Sequence, residues 1–167
     1  MIKKEKFLPA LVTGFSLAVL SIVPVIQVAT CCLLAPLAGM FGLNMYYLQM
    51  KNREGFKLQN SDGFQMGILI GLISGFFESI FQSLLILVSK DNPVYDSIIL
   101  LQKYLPELPV PETIWNISKQ IDEKRFSFLL TFMVFINTTI VNSIFATIGS
   151  MLSISSIRKK NISDSSL

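Results

Sequence analysis

Four apolar runs, separated by short polar turns and one long polar segment, set the pattern of this chain. They cover residues 7–28, 32–48, 63–88 and 126–157. A helix needs about 20 apolar residues to cross the hydrocarbon core of a bilayer, and these runs lie near or above that length. The pattern predicts an all-α fold, an integral membrane four-helix bundle with a short amphipathic extramembrane loop. Residues 1–160 form a single transmembrane domain in this reading, and the polar, Ser-rich 161–167 form a disordered tail.

Punctuation along the chain fits the runs. Lys3, Lys4 and Lys6 precede the first, which holds Pro9 in its opening turn and ends near Pro24 and Gln27. The link to the second run is short, so the two predict a tight helical hairpin, with Pro36 kinking or shortening the second helix. Asn44, Tyr46 and Tyr47 fall at its exit, where Tyr commonly sits at headgroup level. Lys51, Arg53, Glu54 and Lys57 form a charged turn, and Asn60-Ser61-Asp62 offers an N-cap to the third helix. Lys90-Asp91-Asn92-Pro93 closes that helix, and Arg158-Lys159-Lys160 stops the fourth.

The segment 91–125 predicts two short amphipathic helices, 95–105 and 112–125, broken by Pro106, Pro109 and Pro111. They either pack on each other, the favoured reading, or lie along a membrane surface.

Composition supports the membrane class. Hydrophobic residues make up 51% and charged residues 15%, against about 25% charged in an average globular domain. The net charge is +3, and the positives sit at the ends of apolar runs, which suits topology signals better than a nucleic-acid footprint, so no nucleic-acid partner is expected. Three basic residues precede the first run, three separate the second from the third, and three follow the fourth, while the first turn has none. The positive-inside rule then places both termini and the 49–62 turn in the cytoplasm, with 91–125 outside. A cleaved signal peptide is the rival reading, since Val28-Ala29-Thr30-Cys31 resembles a bacterial lipoprotein site. The length of the first run and the apolar stretch after Cys31 favour retention.

These features together resemble a group of small bacterial four-span membrane proteins of uncharacterised role. The features are Cys31-Cys32 opening the second span, Gly39 with Tyr46-Tyr47, Asp62-Gly63, and the repeat Gly67, Gly71 and Gly75. The likeness covers about 21–157. It departs in the fourth span, which offers Gly149-Ser150 where a glycine pair is expected. It implies a bacterial inner-membrane location and carries no activity.

Candidate chemistry is concentrated in the third run. Gly63, Gly67, Gly71 and Gly75 recur every fourth residue, each step advancing about 400° around a helix, so they form one slowly winding track. Such a glycine zipper lets another helix approach closely, where van der Waals contact drives association. Packing within the chain, on Ala35/Gly39 or on Ala146/Ser150, is favoured over a homo-oligomer or a larger membrane complex. Glu78 is the one ionisable residue deep in any run and shares the glycine face, so it is expected to point into an interface. A charge at the bilayer centre costs at least ~2.5–3.5 kcal/mol. Glu78, Gln82, Asn137 and Asn142 form the candidate buried polar site.

No catalytic residue, metal site or cofactor is expected. Histidine is absent, the adjacent Cys31 and Cys32 cannot complete a zinc site, and no phosphate loop or nucleophile elbow occurs. Two function classes remain. The preferred one is a non-enzymatic structural or interaction subunit packing through the glycine-faced helix. The alternative is a small ion- or proton-responsive transporter or channel using Glu78. Most transporters show repeated halves and this chain shows none.

Overall fold

The computed structural model describes residues 4–23, 33–53, 56–89, 92–106 and 109–164. Six helices and no strand occur among them: α1 Lys4–Ser21, α2 Ala35–Met50, α3 Asn60–Val88, α4 Pro93–Tyr104, α5 Glu112–Lys124 and α6 Phe128–Asp164. The fold is all-α. Cys31-Cys32 and the rival cleavage site lie outside the described residues.

Several boundaries differ from the expected spans, for local reasons. α1 stops at Ser21, well short of 28. Pro24 disfavours helical geometry at Val23, and its ring would meet the carbonyl of Leu20. Pro36 neither kinks nor shortens α2 from within. It occupies the first turn, where its missing N–H costs nothing. α3 opens at Asn60, so Asp62 is not the N-cap. It sits three residues into the helix and its carboxylate accepts from the Gln59 N–H at 2.8 Å, the return half of a capping box. α6 runs on through Asp164 into the segment expected to be disordered. Arg158 and Lys159 end the apolar run but are good helix formers.

Among the described residues, two helices are long and apolar enough to cross a membrane, Asn60–Val88 and the Phe128–Lys159 part of α6. Only 39% and 6% of their apolar windows are buried, whereas the core helix of a soluble protein would be mostly enclosed. α1 has 18 residues and begins with charged side chains, and α2 has 16, so neither matches them.

The chain divides into two compact units. The first comprises Met1–Glu78 and Phe135–Leu167. Its core gathers Ala10, Leu17, Leu43, Tyr46, Met66 and Ile70 with Ala146 and Ile154. The glycine track is consumed inside this unit. Gly67 lies on Thr147, Gly71 on Ser143 and Gly75 on Thr139, so four residues up α3 are four residues down α6. The two helices are antiparallel with a shared four-residue register. Gly63 meets Ile154 and the Ser150 backbone. The row Ala146/Ser150 instead faces α2: Gly39 rests on Ala146, Gly149 on Pro36, and the Ser150 hydroxyl donates to the Gly39 carbonyl at 3.0 Å. Small residues thus let α6 approach two helices at backbone distance.

One end of this unit is polar. Lys6 is 2% exposed, and its ammonium donates to Asp62 Oδ1 at 2.7 Å and Gln65 Oε1 at 2.5 Å while sitting 5.5 Å from the Tyr46 ring centre. Tyr46, expected at headgroup level, is fully buried here, with Phe56 edge-on to its ring. Arg53 pairs with Glu5, and Arg158 donates to the Leu58 carbonyl.

The second unit is Ser79–Val134. α4 and α5 pack on each other through Ile98, Ile117 and Ile121. Asn92 ties them: its Oδ1 caps α4 by accepting from the Tyr95 N–H, and its Nδ2 donates to Ser118 and Asp122 of α5. Arg125, at φ 54°, ends α5 with a left-handed C-cap. The Ser83 and Thr131 hydroxyls meet at 2.8 Å.

Candidate functional site: a buried polar cluster around Glu78

α3 and α6 present mostly apolar residues, yet each contributes a buried polar group at one level of the first unit. Glu78 is 6% exposed and Asn142 3%, while Ser74 is fully buried. Ser74 lies one turn before Glu78 on the same face of α3, because four residues advance about 400°. The antiparallel register brings Asn142 opposite both. Its Nδ2 donates to Ser74 Oγ at 3.0 Å and, more loosely, to Glu78 Oε2 at 3.3 Å. The Ser74 hydroxyl donates in turn to the Gly71 carbonyl at 3.1 Å. From α1, the Ser21 hydroxyl also reaches the Glu78 carboxyl and donates to the Ala18 carbonyl at 2.8 Å.

The cluster therefore joins three helices through side chains that each make more than one polar contact. Such a network is favourable only when its members are satisfied, since an unmet buried hydroxyl costs about 1–3 kcal/mol. Thr139, outside this network, is unmet among the described residues, as is the buried Tyr46 hydroxyl. The Thr139 Oγ1 is buried beside Gly75.

Of the four residues expected at this site, the structure brings two together, Glu78 and Asn142. Asn137 is exposed. It precedes Asn142 by five residues, about 500° of helix, so the two diverge by about 140° and only one can face Glu78. Gln82 belongs to the second unit, where it lines an apolar groove with Ile86, Val94, Ile98, Ile114 and Leu130. Ser74 and Ser21 were not expected. The four-residue spacing from Ser74 to Glu78 carried the signal for the first, whereas nothing local marks Ser21.

The chemistry available is narrow. Glu78 has no ion-pair partner among the described residues, and no three His, Cys, Asp or Glu side chains converge there as a metal site. The group can hold or release a proton, or offer oxygens to a small cation. A Glu78→Gln variant keeps the shape and hydrogen bonding of the side chain. Its denaturation midpoint in mild detergent should stay close to that of the parent. Asn142→Leu should lower it, because Ser74 and Glu78 both lose a donor, at about 1–3 kcal/mol.

No protein-family model, curated protein or solved structure matches this chain.

Proposed function

We propose that this is a small multi-pass protein of a bacterial inner membrane with a non-enzymatic, structural or interaction role. In this reading the four helical segments of the first unit cross the bilayer. The observation that carries it is the inverted polarity of that unit. Ser74, Ser150, Ser153, Asn142 and Glu78 are buried, while Phe64, Leu72 and Phe76 of α3 and Ile136, Ile140, Ile144, Ile148 and Leu152 of α6 are exposed. α1 and α2 repeat this, with Phe7, Leu8, Val12, Phe15, Leu37 and Phe41 outside. A soluble unit would not leave so continuous an apolar surface uncovered, whereas lipid is a fitting solvent for it. The glycine-faced helix supplies the packing within the bundle, and any partner would meet the outward apolar rows.

The test is extraction. The protein should stay with membranes under alkaline carbonate and be released by detergent. Release by carbonate would sink the membrane reading. Orientation follows from the basic residues that mark one end of the unit. Single cysteines placed at 57 and 120, in a chain with Cys31 and Cys32 replaced, should label from opposite sides of intact cells. Labelling from the same side would overturn the four-span topology.

A second reading, an ion- or proton-responsive role for Glu78, is favoured by one observation, the convergence of Asn142 and Ser21 on a single buried carboxyl, with Ser74 bonded to Asn142 behind them. Glu78→Gln separates it from the structural role. Unchanged behaviour of cells carrying that variant would leave only the structural one.

A further inference from the structure

The polar end of the first unit holds a cleft of about 350 Å³ that the polar cluster around Glu78 does not use. That volume falls within the ~300–1,000 Å³ of small-molecule sites. Lys51, Lys57 and Arg158 line it together with Tyr47, Phe56 and Ile157. The chain segments behind these residues are far apart in sequence: the end of α2, the turn into α3, and the last part of α6. Arg158 ties two of them by donating to the Leu58 carbonyl at 3.2 Å.

Among the described residues, the charge lining the cleft is of one sign. Both acids described at this end are already engaged, Glu5 with Arg53 and Asp62 with Lys6. Among the described residues, Lys51, Lys57 and Arg158 have no carboxylate partner and no acid lines the cleft. Three cations around a concavity with apolar walls call for an anion that also carries an apolar part. An inorganic anion would leave the Phe56 and Ile157 surfaces wet.

We propose that this cleft binds the phosphodiester headgroup of an anionic phospholipid, with Lys51, Lys57 and Arg158 at the phosphate and Phe56 and Ile157 against the glycerol and upper acyl chain. The proposal rests on the membrane reading, which puts this end at the cytoplasmic surface. Basic pockets between spanning helices on that side recognise such headgroups, and each Lys or Arg near the surface contributes about 1 kcal/mol.

The experiment uses the full chain purified in a mild zwitterionic detergent and titrated with phosphatidylglycerol or phosphatidylcholine, with the denaturation midpoint as readout. Phosphatidylglycerol should raise the midpoint at concentrations where phosphatidylcholine does not. Lys51→Gln and Lys57→Gln should each weaken the apparent affinity for phosphatidylglycerol about fivefold, the equivalent of ~1 kcal/mol. Both side chains are exposed, so these variants fold. Lys119→Gln in the second unit should leave the titration unchanged. Equal responses to the two lipids overturn the proposal, as does an equal loss in Lys119→Gln, which would reduce the effect to general charge. Displacement of phosphatidylglycerol by inorganic phosphate at constant ionic strength also overturns it, in favour of a free-phosphate site. Carbonate extraction is a separate readout. A protein that stays in the membrane yet shows no lipid selectivity rejects the cleft alone.

Discussion

Replacing Gly39 by alanine should destabilise the protein by about 3 kcal/mol or more, while the same change at Gly42, one turn along the same helix, should cost less than about 1 kcal/mol. The contrast comes from what the new methyl meets. At Gly39 it falls on the Ala146 carbonyl, backbone that cannot give without separating α2 from α6. At Gly42 it meets the Ile70 Cδ1 at 2.7 Å and the Thr13 hydroxyl at 3.0 Å. The first is the end of a flexible side chain and can turn aside. Both changes gain the same helix propensity, about 0.5–1 kcal/mol, which offsets part of the cost at each site. The difference between the two midpoints in mild detergent therefore reports backbone approach and little else. Gly149→Ala, which places its methyl on the Pro36 backbone, should behave like Gly39→Ala. Gly71→Leu should be worse than either, since Ser143 backbone and hydroxyl both stand in the way. Equal midpoints for the variants at 39 and 42 would mean that α2 and α6 do not pack at the distance described.

These glycines also show how much of the structure was legible in the sequence. The four-residue repeat identified the packing face of α3, because periodicity alone decides which residues share a face. It left open which row of small residues lies opposite. Ala146/Ser150 and Thr139/Ser143/Thr147 are both spaced in fours on α6 and differ by rotation of that helix, which only the packed structure fixes. The same limit applies to the polar site. Glu78 could be placed on the glycine face by counting turns, and counting turns would also have separated Asn137 from Asn142. Ser21 arrives from another helix and could not be counted. Helix ends were only partly legible at prolines: the first run was expected to reach 28, past Pro24, whereas α1 ends at Ser21, and Pro36 was expected to kink or shorten α2, whereas it occupies the first turn. They were illegible where only the apolar run ended, as at Arg158, because hydropathy marks the edge of an apolar layer and not the end of hydrogen bonding along a helix.

The largest single-residue effect outside the glycine contacts is expected at Asp62. Lys6 is almost wholly enclosed, and its charge is met by Asp62 and Gln65 alone among ion-pair and hydrogen-bond partners described, with the Tyr46 ring face nearby. Removing the carboxylate leaves a buried ammonium without a counter-charge, a change that typically costs about 3–5 kcal/mol. Asp62→Ala should approach that figure and also lose the bond to the Gln59 N–H, so Asp62→Asn, which keeps an acceptor there, isolates the charge. Lys6→Met should be milder, because the Asp62 side chain is 13% exposed and retains access to solvent. The double variant Lys6→Met with Asp62→Asn should recover much of the loss, since a buried pair replaced as a pair is often close to neutral. Arg53→Gln supplies the comparison. Its pair with Glu5 is 60% and 34% exposed, and such surface pairs contribute only about 0–1 kcal/mol. Denaturation midpoints of the parent, Lys6→Met, Asp62→Asn and the double variant form a cycle, with Asp62→Ala and Arg53→Gln as comparisons. A double variant whose loss equals the sum of the Lys6→Met and Asp62→Asn losses would show that the two side chains act independently, and the buried pair would then not be what holds α1 against α3.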